Sequence, residues 1–184
     1  MGLHQELAGL LVVSMEQAVA APYCGLMLAD AGARVIKVER KEGDFARGYD
    51  RGAKGNSVFF SWLNRGKESV AIDLNIDDDE ALLRSMLKEA DVFLHNLAPG
   101  SLARRGFGGD ALREHNPELI TCEINGYGST GPGARKKAYD FLVQAESGIC
   151  AVNGTREQPA RVGISICDIA TGQTAFSSIL RALI

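Results

Sequence analysis

Leu10-Leu-Val-Val-Ser14, the small-residue segment 18–31 and Arg34-Val-Ile-Lys-Val-Glu39 together decide the fold. The first and last pieces are short, apolar and β-branched, which is the pattern of buried strands. The middle piece reads as a helix. Pro22 suits a first turn, where its missing N–H would have no partner anyway, and Gly32 closes the segment. Strand, helix and strand in that order make a βαβ unit, with parallel strands and a right-handed crossover.

The same alternation continues along the chain. Residues 39–55 are rich in glycine and charge and read as a loop rather than an element. Residues 57–64, with Val58, Phe59, Phe60, Trp62 and Leu63, fit either a helix or a strand. Residues 69–73 predict a strand. Residues 77–89 predict a helix with acids in its first turn and an apolar stripe of Leu82, Leu83, Met86 and Leu87. A fourth strand is expected over 90–96 and a fifth over 119–125, with short helices over 101–105 and 110–115 between them. Residues 139–148 have a helical apolar pattern with Asp140 near its start. Residues 162–167 read as one more buried strand. Phe176, Ile179, Leu180, Leu183 and Ile184 then recur at helical spacing, so the run from Gln173 reads as an amphipathic helix. The expected class is α/β, Rossmann-like and doubly wound, with a mostly parallel sheet and flanking helices.

Composition bounds the function. A chain of 184 residues can bury a sizeable core, and a net charge of −3 gives no support to a nucleic-acid partner. No apolar run reaches membrane-spanning length. The N-terminus lacks the basic-then-apolar order of a signal peptide, and Met1-Gly2 is not followed by the pattern for myristoylation. Cys24, Cys122, Cys150 and Cys167 are scattered and read as reduced core residues of a cytoplasmic protein. His4, His95 and His115 form no local constellation, so no metal is expected. The sequence ends on the apolar face of a helix without a stop signal. The expectation is therefore an N-terminal part of a longer protein.

In sheets of this kind ligands collect beyond the carboxyl ends of the strands. Those ends are residues 14–17, 39–40, 73–74, 96–97 and 125–127, with Asp168 on the same rim if 162–167 is a strand. Asp168 would then stand where a strand hands over to a helix, with Ala170, Thr171 and Gly172 leaving room beside it. The plainer alternative is that Asp168 only caps its helix, and the same alternative holds for Asp140. Arg40, Arg104, Arg105, Arg135, Lys136 and Lys137 adjoin strand ends. Solvated surface charge is the usual fate of such residues, but several on one rim would suit a ligand with more than one phosphate. Gly126-Tyr-Gly-Ser-Thr-Gly131 matches a dinucleotide fingerprint, yet Pro132-Gly133 follows where a helix should begin, so NAD binding is not supported.

A set of stretches in this order resembles the class III CoA-transferases. They are Ala20-Ala-Pro-Tyr-Cys24, residues 28–40, Asn64-Arg-Gly-Lys67, Asp91-Val-Phe-Leu-His-Asn96 with Pro99-Gly100, Gly126 to Pro132, Tyr139-Asp140 and Asp168-Ile-Ala-Thr-Gly172. The resemblance implies that Asp168 is the catalytic carboxylate, with Asp140 in the catalytic set. It implies coenzyme A contacts, as acyl-CoA co-substrate, from Gln17, Ala18, Ala20, Arg40, Ile72, Leu74, Asn96, Leu97, Arg104, Arg105, Lys137 and Tyr139. It further implies exchange of CoA between small carboxylic acids through a covalent aspartyl anhydride and thioester, without metal or ATP. Residues 1–184 would be the N-terminal part of a Rossmann-like large domain, with the small domain outside this chain and two full-length subunits interlocked as a homodimer. α-Methylacyl-CoA racemases share the fold but place a histidine where Tyr139 stands, and a neutral tyrosine is a poor proton shuttle near pH 7. A third alternative is a catalytically inert CoA-binding fragment.

Overall fold

The computed structural model describes residues 5–134 and 136–184. Met1, Gly2, His4 and Arg135, which entered the sequence reading, lie outside the described residues. Five strands form one sheet: β1 (Leu11–Met15), β2 (Arg34–Glu39), β3 (Glu68–Ala71), β4 (Val92–His95) and β5 (Ile120–Glu123). Their order is β3-β2-β1-β4-β5 and every pairing is parallel. The chain begins at the middle strand, builds outward to β3, then returns to β4. The order therefore reverses beside β1, which opens a crevice at the carboxyl ends of β1 and β4.

The helices are α1 (Ala20–Asp30), α2 (Val58–Asn64), α3 (Asp77–Glu89), α4 (Gly109–Arg113), α5 (Asp140–Glu146), α6 (Ile149–Asn153) and α7 (Ile166–Ala182). Short 3₁₀ turns occupy Phe45–Gly48 and Ala103–Arg105. Strand side chains alternate between faces, so Val12 and Val13 point opposite ways. Val12, Val35 and Val92 pack with Cys24, Leu28, Ala175 and Ile179 under α1 and α7. Val13, Val38 and Phe93 pack with Leu83, Leu87 and Phe107 under α3. Leu83 is fully buried in this second layer. Leu83→Ala is expected to cost about 2–5 kcal/mol, read as a lower midpoint of chemical denaturation at unchanged slope.

The strand and helix order matches the expectation, with corrections at particular places. Residues 58–64 are helical, and the extended Ser57 caps α2, its hydroxyl accepting the Phe60 N–H at 3.1 Å. The polar loop after β2 contains a 3₁₀ turn capped by Asp44, which accepts the Ala46 N–H at 2.9 Å. Residues 162–167 form no strand. Ile164 is 57 % exposed, and α7 starts at Ile166 rather than near Gln173. The segment's backbone is taken by α5 instead: the Val162 N–H donates to Gln144 Oε1 at 2.8 Å. Of the four cysteines, all free, only Cys24 is buried; Cys122, Cys150 and Cys167 are half-buried. No helix among the described residues is long and apolar enough to cross a membrane.

Candidate active site

The strand ends line a cleft of about 440 Å³. Gln17 after β1, Arg40 after β2, Ile72 and Leu74 after β3 and Leu97 after β4 all face it. Two further expected contacts stand one bond behind. Asn96 donates from Nδ2 to the Gln17 carbonyl at 2.8 Å and accepts the Gln17 N–H at Oδ1, 2.9 Å away. Arg105 donates to the Leu74 carbonyl at 2.6 Å and to Asn75 Oδ1 at 2.8 Å. Ala18 lies in the turn after β1, and Ala20 is the first residue of α1. Arg104, Lys137 and Tyr139 are exposed and do not line this cleft. The guanidinium group of Arg40 fits a phosphate-bearing ligand in chemistry, and the apolar side chains of Val38, Ile72 and Leu97 offer cover for its less polar parts.

Asp168 belongs to a second cluster. It sits in the first turn of α7 after a loop, so the expected strand-to-helix junction is corrected to a loop-to-helix one. It is not the cap. Ser165 holds that position without a side-chain cap bond, and the free helix N–H groups are served from another element. Asp140 Oδ1 accepts the N–H of Cys167 at 2.8 Å and of Asp168 at 3.2 Å. Asp140 Oδ2 accepts from Gln144 Nε2 at 2.6 Å. One Asp140 oxygen thus holds the start of α7 and the other is taken by Gln144 of α5, and Asp140 does not cap its own helix α5. The Asp168 carboxylate accepts no hydrogen bond from a described residue. Burial first, then the charge of Asp140, push its carboxyl up to about 6.

Gly172 lies one turn beyond Asp168 on the same helix face, pressed against the Ala20 carbonyl and Tyr23. That contact brings the first turn of α7 to the start of α1, where the Gln17–Ala18 turn ends. From the other side comes Tyr49. Burial, then the charges of Asp44, Asp168 and Tyr139, raise its phenol to about 12. Tyr49 is held in a file of rings, 5.7 Å from Phe45 and 6.1 Å from Phe59. Asp50 fastens the loop behind it, accepting the Gly52 N–H at 2.9 Å, the Val58 N–H at 2.8 Å and the Ser57 hydroxyl at 3.0 Å.

The sequence reading missed the charges beneath the cleft. Glu39 is buried yet ionised. Burial opposes its charge, but Arg47 at 2.7 Å, the Asp44 N–H, the Ser69 hydroxyl and Lys37 outweigh that and hold its carboxyl at about 2. Lys37, Glu16 and Asp44 are buried with it. The signal was present at Lys37, because a lysine inside an otherwise apolar strand demands a partner.

Comparison with known proteins matches residues 7–184 to the family model described as CoA-transferase family III. Succinate–glutarate CoA-transferase of Agrobacterium fabrum is 38 % identical over 97 % of this chain and 47 % of its own length. Acetyl-CoA:oxalate CoA-transferase of Acetobacter aceti is 40 % identical over 95 % of this chain and 46 % of its own. A crystal structure of a CaiB/BaiF family protein from Brucella suis superposes with a TM-score of 0.92 at 37 % identity, over 96 % of this chain and 48 % of that one. The chain spans about half the length of these relatives.

Proposed function

The chain belongs to CoA-transferase family III, and on that premise we propose that the full-length protein moves CoA between carboxylic acids. The observation that carries the reading is Asp168. It is a half-buried carboxylate whose oxygens accept no hydrogen bond from a described residue, fixed through its backbone by Asp140 and brought to the start of α1. A carboxylate left free at such expense is suited to forming a bond.

In the proposed reaction Asp168 attacks the thioester carbonyl of the donor acyl-CoA. The C–S bond breaks, CoA leaves as thiolate, and an acyl-aspartyl anhydride remains. The thiolate then attacks the aspartyl carbonyl and expels the donor acid, leaving an aspartyl-CoA thioester. The acceptor carboxylate takes that thioester through the same two steps in reverse, which frees Asp168. Neither electrons nor protons are consumed overall, and each step exchanges one activated acyl group for another. Gln17, Ile72, Leu74 and Leu97 would line the substrate's path, Arg40 would meet its phosphates, and Arg105 would hold the Leu74–Asn75 wall in place. Asp140 acts in this scheme as a positioning residue. The relatives' names support a short dicarboxylic acid as one exchange partner. The same proposal makes this chain the CoA-side portion of a large domain, in a homodimer of full-length subunits.

The direct test is to incubate full-length protein with an acyl-CoA, digest it and weigh the peptide bearing Asp168. A CoA adduct on that peptide, together with transfer to a panel of free acids, is the expected result. Transfer that proceeds with no adduct under rapid quench would overturn the covalent route.

The nucleophile must be ionised. With its carboxyl at about 6, kcat/KM is expected to rise about tenfold per pH unit below that value and to level off above it. Asp140→Asn removes the neighbouring negative charge but not the burial, so the acidic limb should move to lower pH. An unmoved limb would mean that the titration belongs to another group.

A further inference from the structure

Lys37 lies in the middle of β2, opposite Ser14 of β1 and Ser69 of β3, and is 1 % exposed. A charge so far from water is tolerated only where partners replace the solvent. Asp44 Oδ2 is 2.8 Å from its Nζ, the Glu16 carboxylate is at 3.7 Å and the Glu16 carbonyl at 3.3 Å. Glu16 is held in turn by Lys67 and by the Ser14 hydroxyl at 2.7 Å. The four charged side chains balance in sign, and each is almost wholly removed from solvent. The sheet itself does not need them, because an apolar residue would pack a buried strand without this desolvation.

What the cluster holds is a turn. Asp44 Oδ1 accepts the N–H of Ala46 at 2.9 Å and of Ala18 at 3.2 Å. Ala18 has φ 63, a left-handed conformation that a residue with a Cβ adopts only against a steric penalty. Asn96 grips the preceding residue, Gln17, through both its N–H and its carbonyl. The backbone at 17–18 is therefore pinned from β4 on one side and from the loop after β2 on the other. The same Asp44 oxygen starts the 3₁₀ turn that leads to Tyr49, beside Asp168.

We infer that Lys37 and Asp44 are positioning residues. An oxygen on residue 44 keeps Ala18 left-handed so that the Gln17–Ala18 turn meets acyl-CoA in its bound shape, and Lys37 supplies the counter-charge that lets a buried carboxylate provide that oxygen. This rests on the CoA-transfer reading above.

The test compares two double variants of the full-length protein, Lys37→Met with Asp44→Asn and Lys37→Met with Asp44→Leu. Both remove the two charges together, so neither leaves a lone buried ion, and Glu16 keeps Lys67. The asparagine side chain retains an oxygen for the Ala18 N–H; the leucine side chain has none. The leucine pair is expected to raise KM for acyl-CoA about tenfold with a smaller change in kcat, and the asparagine pair to stay within about threefold of wild type. Amide hydrogen exchange at Ala18 reads the clamp without substrate and should be fast only in the leucine pair. Equal KM and equal exchange in the two folded variants would overturn the inference. If the leucine pair does not fold, Lys37→Met alone should speed Ala18 exchange about tenfold, and unchanged exchange overturns the inference just as well. A wild type that transfers no CoA overturns the functional reading and this inference together, whereas an active wild type with indifferent variants overturns this inference alone.

Discussion

Asp168→Ala in the full-length protein is expected to lower CoA transfer by a factor of about 10⁴ or more, the scale seen when a covalent nucleophile is removed. The same substitution should make the fold more stable. Burial and Asp140 raise the Asp168 carboxyl from 3.8 to about 6, so the folded state prefers it protonated. Its contribution to stability is fully present below pH 3.8 and is lost as pH rises through about 6. At pH 8 the folded chain carries a charge it would rather not hold. Allowing for the carboxylate's partial exposure, relieving it is worth about 1–2 kcal/mol. Thermal melts at pH 8 and pH 4 separate the cases: Asp168→Ala should gain on wild type at pH 8 and lose that gain at pH 4. A residue kept for structure gives the opposite result, with stability and activity falling together. Retained transfer in the folded variant would remove Asp168 from the chemistry.

Much of this architecture was legible because local and global signals agree in it. β2 and α3 were read to the residue, the first from a β-branched run interrupted only by Lys37 and the second from acids ahead of an apolar stripe. The segment 162–167 misled for a physical reason. Val162, Ile164 and Ile166 alternate with small residues at a strand's period, but the buried Gln144 takes the Val162 N–H and Asp140 takes the Cys167 N–H, which ties the segment to α5. Asp140 lies far from α7 in sequence, so no local pattern could show which carboxylate caps that helix. Capping was the better local reading of Asp168, and only the resemblance spoke for chemistry there. The cleft contacts divided the same way. Gln17, Arg40, Leu74 and Leu97 follow from strand ends alone and Ile72 from the resemblance, while the Asn96 grip on Gln17 depends on two strands becoming neighbours.

Gly172→Ala should destabilise the protein although it improves the helix. Glycine inside a helix is worse than alanine by about 1 kcal/mol, so propensity alone predicts a gain. The site reverses the sign. A Cβ at residue 172 would lie 2.5 Å from the Ala20 carbonyl oxygen and 3.1 Å from the Tyr23 ring. A side chain could swing aside, but the oxygen belongs to the backbone of α1 and moves only if the start of that helix moves. The net cost is expected at about 1–3 kcal/mol for alanine and more for valine. Activity should suffer beyond that, because the same contact sets the distance between Asp168 and the Gln17–Ala18 turn. A shift of about 1 Å between nucleophile and substrate lowers rates about 10²-fold. Combining Gly172→Ala with Tyr23→Ala separates the two obstacles. The double variant should recover little activity, since the carbonyl remains in place, whereas full recovery would assign the clash to the ring. A stabilised Gly172→Ala with normal transfer would show that α7 does not seat on Ala20 and would break the link by which this face of the helix delivers Asp168.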